Sequence, residues 1–256
     1  RGVREEIAGL LDTLMLHILS SGEFRTAAFL LRETAQTSDR APGISAEQKD
    51  QLLRIRNRLS EPEVLAQILQ SLDEASQLPD QDDLNELFEQ LRVGAIATVF
   101  SWLTKAQTPR LRVLLESAAA RLAMANTAEL VRLIGSSDRD VAREAIRRAG
   151  AVRATAAVAA LAKLTTDPDV QMRLAAVQAL GEIGSPGALQ FLERTIDDTH
   201  RDVRVATVAV AQIVDAVAGY VQHPERPRIQ FGQHGGGVVA GADDLVHVVA
   251  ETEQRC

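Results

Sequence analysis

A spacing of 31 residues recurs through the second half of the chain and dictates its architecture. Three stretches, SSDRDVAREAIRRAG from Ser136, DPDVQMRLAAVQALG from Asp167 and DDTHRDVRVATVAVAQ from Asp197, place Val141, Met172 and Val203 in one column. Ala145, Ala176 and Thr207 form a second column, Ile146, Val177 and Val208 a third, and Ala149, Leu180 and Ala211 a fourth. The segments between keep step, with Leu130, Leu161 and Leu192 again 31 apart. Two helix-length segments sharing one period mark a repeat array, and that reading precedes any other.

Each unit reads as two helices. The first follows an Asp-rich turn and carries small residues, Ala175, Ala176 and Ala179 in the middle unit, which let a neighbouring backbone approach. Gly181 and Gly184 are expected to end it, since glycine accepts the left-handed cap of a helix C-terminus. Ser185 and Pro186 restart the chain as N-cap and first helical residue. Leu189, Leu192 and Ile196 then share one face of the second helix. A single hairpin cannot bury two apolar faces, so the units must stack, and the fold class is all-α: a right-handed α-solenoid of antiparallel helical hairpins. The core is expected to contain Ile146, Leu161, Val177, Leu180, Leu192 and Val208.

The stretch DPDVQMRLAAVQALGEIGSPGALQFLERTIDD, from Asp167 to Asp198, resembles the short bacterial HEAT-like repeat also found in phycobilin lyase-type proteins. The likeness lies in the Asp-Pro turn, the apolar–Arg pair, the Ala-Ala step and Leu-Gly-x-Ile-Gly. It is looser for Ser136–Thr166 and Asp197–Asp215, and a degenerate copy is expected over Thr108–Ile134. In HEAT-like arrays the arginine after the apolar residue often bridges to an aspartate of an adjacent turn; for Arg173 and Arg204 the resemblance implies Asp169 and Asp202 as partners.

Upstream, Val3–Leu19 and Glu23–Thr37 read as a tight hairpin, and GEFRTAAFLL resembles the tetratricopeptide-type pattern. Ser45–Gln48 and Ser60–Glu63 have the form of capping boxes that start helices near Ala46–Leu59 and Glu61–Ser76. Further helices are expected near Asp82–Leu91, Ala95–Lys105 and Pro109–Ala125, with Gly94 breaking the chain between the first two. From Tyr220 the period stops, Pro224 and Pro227 oppose helix, and Gly235–Gly237 is a flexible run. The division is therefore 1–107 helical hairpins, 108–219 HEAT-like repeats and 220–256 an irregular tail. The chain starts at Arg1 without a leader-like segment, and is expected to be a cytoplasmic piece of a longer polypeptide.

Chemistry finds little material. No Gly-x-Ser-x-Gly, phosphate-binding Gly-rich loop with Lys or His-Glu-x-x-His occurs, and no cofactor or catalytic residue is expected. Cys256 is the only cysteine. His223, His234 and His247, with Asp243, Asp244 and Cys256, match no compact ligand spacing, and His17 and His200 are far apart in sequence. The carboxylate pairs Glu5–Glu6, Asp82–Asp83 and Asp197–Asp198 fall at helix starts or in turns, where the helix dipole explains them.

A net charge of −7 and eight aromatic residues disfavour a nucleic-acid glove or a base-stacking platform. No apolar run reaches the length of a membrane span. Residues 51–100 hold 4 basic and 9 acidic side chains, whereas 101–150 hold 9 and 5; there Arg139, Arg143 and Arg147 share a helix face. That strip reads either as an anion site or, more economically, as a solvated face offset by Asp140 and Glu144. The function expected is a non-catalytic scaffold that binds a protein partner or another domain of its own polypeptide. The contacts expected are polar positions of the second helices: Glu129, Arg132, Lys163, Gln190 and Glu193. The resemblance also implies two rivals, a phycobilin lyase-like chromophore handler and a nucleic-acid-binding HEAT-like protein.

Overall fold

A computed structural model describes residues 2–40, 45–75 and 78–222, and within them every regular element is helical. The helices are α1 (Gly2–Ser20), α2 (Phe24–Arg40), α3 (Ala46–Asn57), α4 (Pro62–Glu74), α5 (Gln81–Glu89), α6 (Ile96–Lys105) and α7 (Pro109–Ala125). They continue with α8 (Thr127–Ile134), α9 (Arg139–Ala151), α10 (Val158–Leu164), α11 (Val170–Ile183), α12 (Pro186–Leu192) and α13 (Arg201–Gln222). α2, α5, α7, α9, α11 and α13 stack side by side in one layer. The shorter α6, α8, α10 and α12 pack across onto α7, α9, α11 and α13, so the architecture is an all-α solenoid. Among the described residues no helix is long and apolar enough to cross a membrane.

Burial follows the 31-residue step over more of the chain than the repeat motif does. Ile68, Val99, Leu130, Leu161 and Leu192 are all buried, one on each successive short helix. Leu84, Leu115, Ile146 and Val177 are fully buried in the long-helix layer. Val208, the fifth member of that column and an expected core residue, is 45% exposed. Its predecessor Val177 lies on α11, onto which the next short helix, α12, packs; whatever follows α13 lies outside the described residues. Ile146, Leu161, Val177, Leu180 and Leu192 are buried as expected. Ile196 is not: the helix gives way to a 3-10 turn after Leu192, and the side chain is 47% exposed.

Helix starts recur on the same step. Asp138 accepts hydrogen bonds from Asp140 N and Val141 N to cap α9, and Asp169 accepts from Gln171 N to cap α11. At the equivalent place before α13, His200 Nδ1 accepts from Asp202 N at 3.3 Å. One residue pair earlier, Ser136, Asp167 and Asp198 each accept the amide two residues on. Ser185 caps α12 through Ala188 N, and the Ser45–Gln48 capping box is complete. The Ser60–Glu63 box does not form. Glu61 is the N-cap residue of α4, and Ser60 Oγ, buried, accepts from Arg92 N at 2.8 Å instead.

Gly184, at φ +62°, ends α11 as its left-handed cap. Gly181 does not end the helix. It lies inside α11, where a Cβ would come within 2.4 Å of Val210 Cγ1 on α13. Gly150 of α9 faces Ala179 of α11 in the same way, a Cβ there meeting Ala179 Cα at 3.0 Å, so one contact repeats a unit apart. The expected tail begins in helix, since α13 runs to Gln222; residues 223–256, with His223, His234, His247, Asp243, Asp244 and Cys256, lie outside the described residues.

Candidate partner-binding surface

The turns decide what the arginines do. Arg173 sits on α11, only 9% exposed, and donates from Nη1 to the carbonyl oxygens of Asp167 and Pro168 in its own turn. Its Nε and Nη2 donate to the Asp198 carboxylate at 2.8 and 3.0 Å, a bidentate pair of the strong type. Arg204 repeats the first half, donating to the carbonyls of Asp198 and Thr199. The ladder between turns therefore exists, but Asp169 and Asp202 are not its acceptors. Asp169 is occupied in capping its own helix, and Asp202 lies beside His200, Oδ2 to Nδ1 at 3.7 Å. The Arg173 guanidinium holds the Asp198 carboxyl below the ordinary aspartate range. That carboxylate is a structural acceptor and not a helix-dipole partner, whereas Asp82 and Asp83 do stand in the first turn of α5.

The basic strip on α9 is matched with acid. Arg139 pairs with Asp167 at 3.2 Å, Arg143 with Asp140, and Arg147 with Glu144 at 2.7 Å and Glu116 at 3.4 Å. Arg148, buried, pairs with Glu144 at 2.6 Å and with Glu116 on α7. The Glu144 carboxylate raises the Arg147 guanidinium above its ordinary range. A face so paired joins α7 to α9 and leaves little net field for an anion. On α11, burial pushes the Glu182 carboxyl up, and the Arg147 guanidinium offsets part of that.

The five expected contact residues all lie in the short-helix layer. Glu129 and Arg132 are on α8, Lys163 is on α10, Gln190 is on α12 and Glu193 is in the turn after it. Arg132 donates to Glu129 through Nε (2.8 Å) and Nη2 (2.5 Å), which holds the Glu129 carboxyl below its usual range. Lys163, Gln190 and Glu193 are exposed, and their side chains have no hydrogen-bond or ionic partner among the described residues. Only Arg132 and Lys163 share a repeat position. Gln190 follows Ala128 and Ala159, and Glu193 follows Val131 and Ala162, in their own columns. The third member of the Arg132–Lys163 column is Arg194, exposed, with its guanidinium 5.9 Å from the Phe191 ring centroid. The 31-residue spacing alone suffices to find it. His17 is exposed on α1, far in sequence from His200, and no group of three His, Cys, Asp or Glu side chains among the described residues could hold a metal ion.

Comparison with known proteins agrees with this architecture. The family described as HEAT repeats matches residues 127–212, the stretch from α8 into α13. The chain thus carries a HEAT-like repeat array within an all-α solenoid. No curated protein matches it. Solved structures of similar outline include a designed armadillo repeat protein in complex with the peptide (KR)4, at 18% identity and a TM-score of 0.41, covering 78% of this chain and 98% of that one. A computationally designed armadillo repeat protein for modular peptide recognition gives 18%, 0.40, 78% and 98%. Human deoxyhypusine hydroxylase with glycerol gives 15% identity and a TM-score of 0.35, covering 84% of this chain and all of that one.

Proposed function

We propose that the chain is a non-catalytic interaction module whose short-helix layer, α8, α10 and α12, binds a protein partner or another domain of the same polypeptide. One observation carries this reading. The arginines of α9 and α11, Arg139, Arg147, Arg148 and Arg173, are committed to carboxylates of neighbouring helices and turns, while the short-helix side chains of Lys163, Gln190 and Glu193 are exposed and unengaged. Stacked hairpins offer such side chains in a row, which suits a contact spread over several repeats.

The test is selection of peptides from a random displayed library on the immobilised chain, followed by affinity measurement on charge-reversal variants. Arg132→Glu with Lys163→Glu should weaken the selected peptides by about tenfold or more, as expected for charged contacts within an interface. Arg139→Glu with Arg143→Glu should change them less. The opposite ranking moves the contact surface to α9. Recovery of no peptide above background overturns the interaction reading itself.

A further inference from the structure

We infer that the ligand of the short-helix layer is an extended acidic peptide carrying a carboxylate at every third residue, a reading that rests on the surface proposed above. Arg132, Lys163 and Arg194 stand 31 and 31 residues apart, at one helical position on three successive repeats, and all three are exposed. One step further back the position is Ser101, and the Lys105 ammonium donates to its Oγ at 2.8 Å. Three successive repeats thus put a cation at the same place, and in the repeat before them the Lys105 ammonium reaches it from one turn further on.

The spacing selects the ligand. Packed helices lie about 8–10 Å apart, and an extended chain in the polyproline-II conformation advances about 3.1 Å per residue and returns every third side chain to one face, so one repeat corresponds to three ligand residues. A peptide in that conformation laid across the stack then brings residues one, four, seven and ten over Lys105, Arg132, Lys163 and Arg194. The chemistry of each subsite is already displayed at Arg132, whose Nε and Nη2 hold the Glu129 carboxylate while Nη1 makes no hydrogen bond. Phe191, half-buried beneath Arg194, adds an apolar floor at one end. The carboxylates beside the row are Glu129, which is engaged by Arg132, and Glu193. The chain's overall charge of −7 opposes a polyanion that follows charge alone, and favours one whose charges match the register.

The experiment titrates the full chain with three fluorescein-labelled probes, read by anisotropy at two salt concentrations. One ten-residue peptide has Glu at positions one, four, seven and ten with Ser and Thr between; the second has the same composition with its four Glu contiguous; the third is a short single-stranded oligonucleotide of equal charge. The spaced peptide should bind about tenfold more tightly than the contiguous one, a gap that charge-driven encounter alone does not produce. Lys163→Glu and Arg194→Glu should each abolish that preference, Lys163→Gln should reduce it, and Arg143→Glu should leave it unchanged. Retention of the helical circular dichroism and melting transition shows that each variant is folded. Equal binding of the two peptides, tighter binding of the oligonucleotide, or no binding of the spaced peptide overturns the inference. If library selection still yields ligands sensitive to Arg132 and Lys163, the module reading survives and only the acidic ligand fails.

Discussion

Arg173 grips Asp198 with two parallel hydrogen bonds, 2.8 and 3.0 Å long, across the gap between one repeat's long helix and the next repeat's turn. Both side chains are close to fully enclosed, at 11% and 9% exposure. An enclosed guanidinium that loses its carboxylate keeps its desolvation cost without the compensating pair. Asp198→Ala should therefore cost roughly 3 kcal/mol in chemical denaturation. The pair also sets a pH dependence. The Asp198 carboxyl titrates below its unfolded value, so its contribution is fully present above the ordinary aspartate range near about pH 4 and is lost as pH falls through the depressed folded value. Wild-type stability should fall more steeply than that of Asp198→Asn across that acid window.

Gly181 and Val210 are a second inter-repeat pair, in contact without any room to spare. Gly181→Ala should destabilise by about 1–3 kcal/mol, because the added methyl meets a branched side chain. Val210→Ala should relieve that clash, so the double variant should be less unstable than the sum of the two single changes. Additive losses in this cycle would show that the two positions do not touch.

Leu180 and Val208 separate what the stack buries from what it leaves open. Leu180 is fully enclosed, and Leu180→Ala should cost on the order of 2–5 kcal/mol. Val208→Ala, at a site 45% exposed, should cost less than about 1 kcal/mol. Thermal melts of the two variants decide it, and similar losses would mean that Val208 is covered.

Asp73 holds the start of α7 from a distance. Its carboxylate accepts from Gln107 N at 3.0 Å and Thr108 N at 2.7 Å, and these amides hold its pKa below the usual range. Asp73→Ala should lower stability by about 1–2 kcal/mol, with amide exchange accelerated at Gln107 and Thr108 first.

The residues that made the fold legible are those at which one chemistry serves every repeat. Leu130, Leu161 and Leu192 differ in nothing but position, and Pro109 and Ala125 bound α7 where the sequence places its ends. The same burial further upstream was hidden because packing needs bulk and not a motif. Ile68 and Val99 fill the site of Leu130 without the Asp-Pro turn or the Leu-Gly ending beside them. Side by side on the long helices, Phe88, Ala119, Gly150 and Gly181 occupy one column with very different volumes, which obscures the period while neighbours compensate. For Arg173 the repeat resemblance pointed to Asp169; only the fold shows that Asp169 is already consumed as a cap and that Asp198 of the next turn takes its place. At the candidate surface, choosing polar residues one by one named Arg132 and Lys163 without Arg194, the third member of their column.

The arginine–aspartate contacts between turns have a mechanical side. Arg139 to Asp167 and Arg173 to Asp198 each tie one repeat to the next along the same edge of the slab, while Arg147 and Arg148 tie back to Glu116. These ties lie beside the apolar columns, so each junction between neighbouring repeats is held by both. Separating these repeats therefore has to break charged contacts at the turn edge as well as expose the apolar columns.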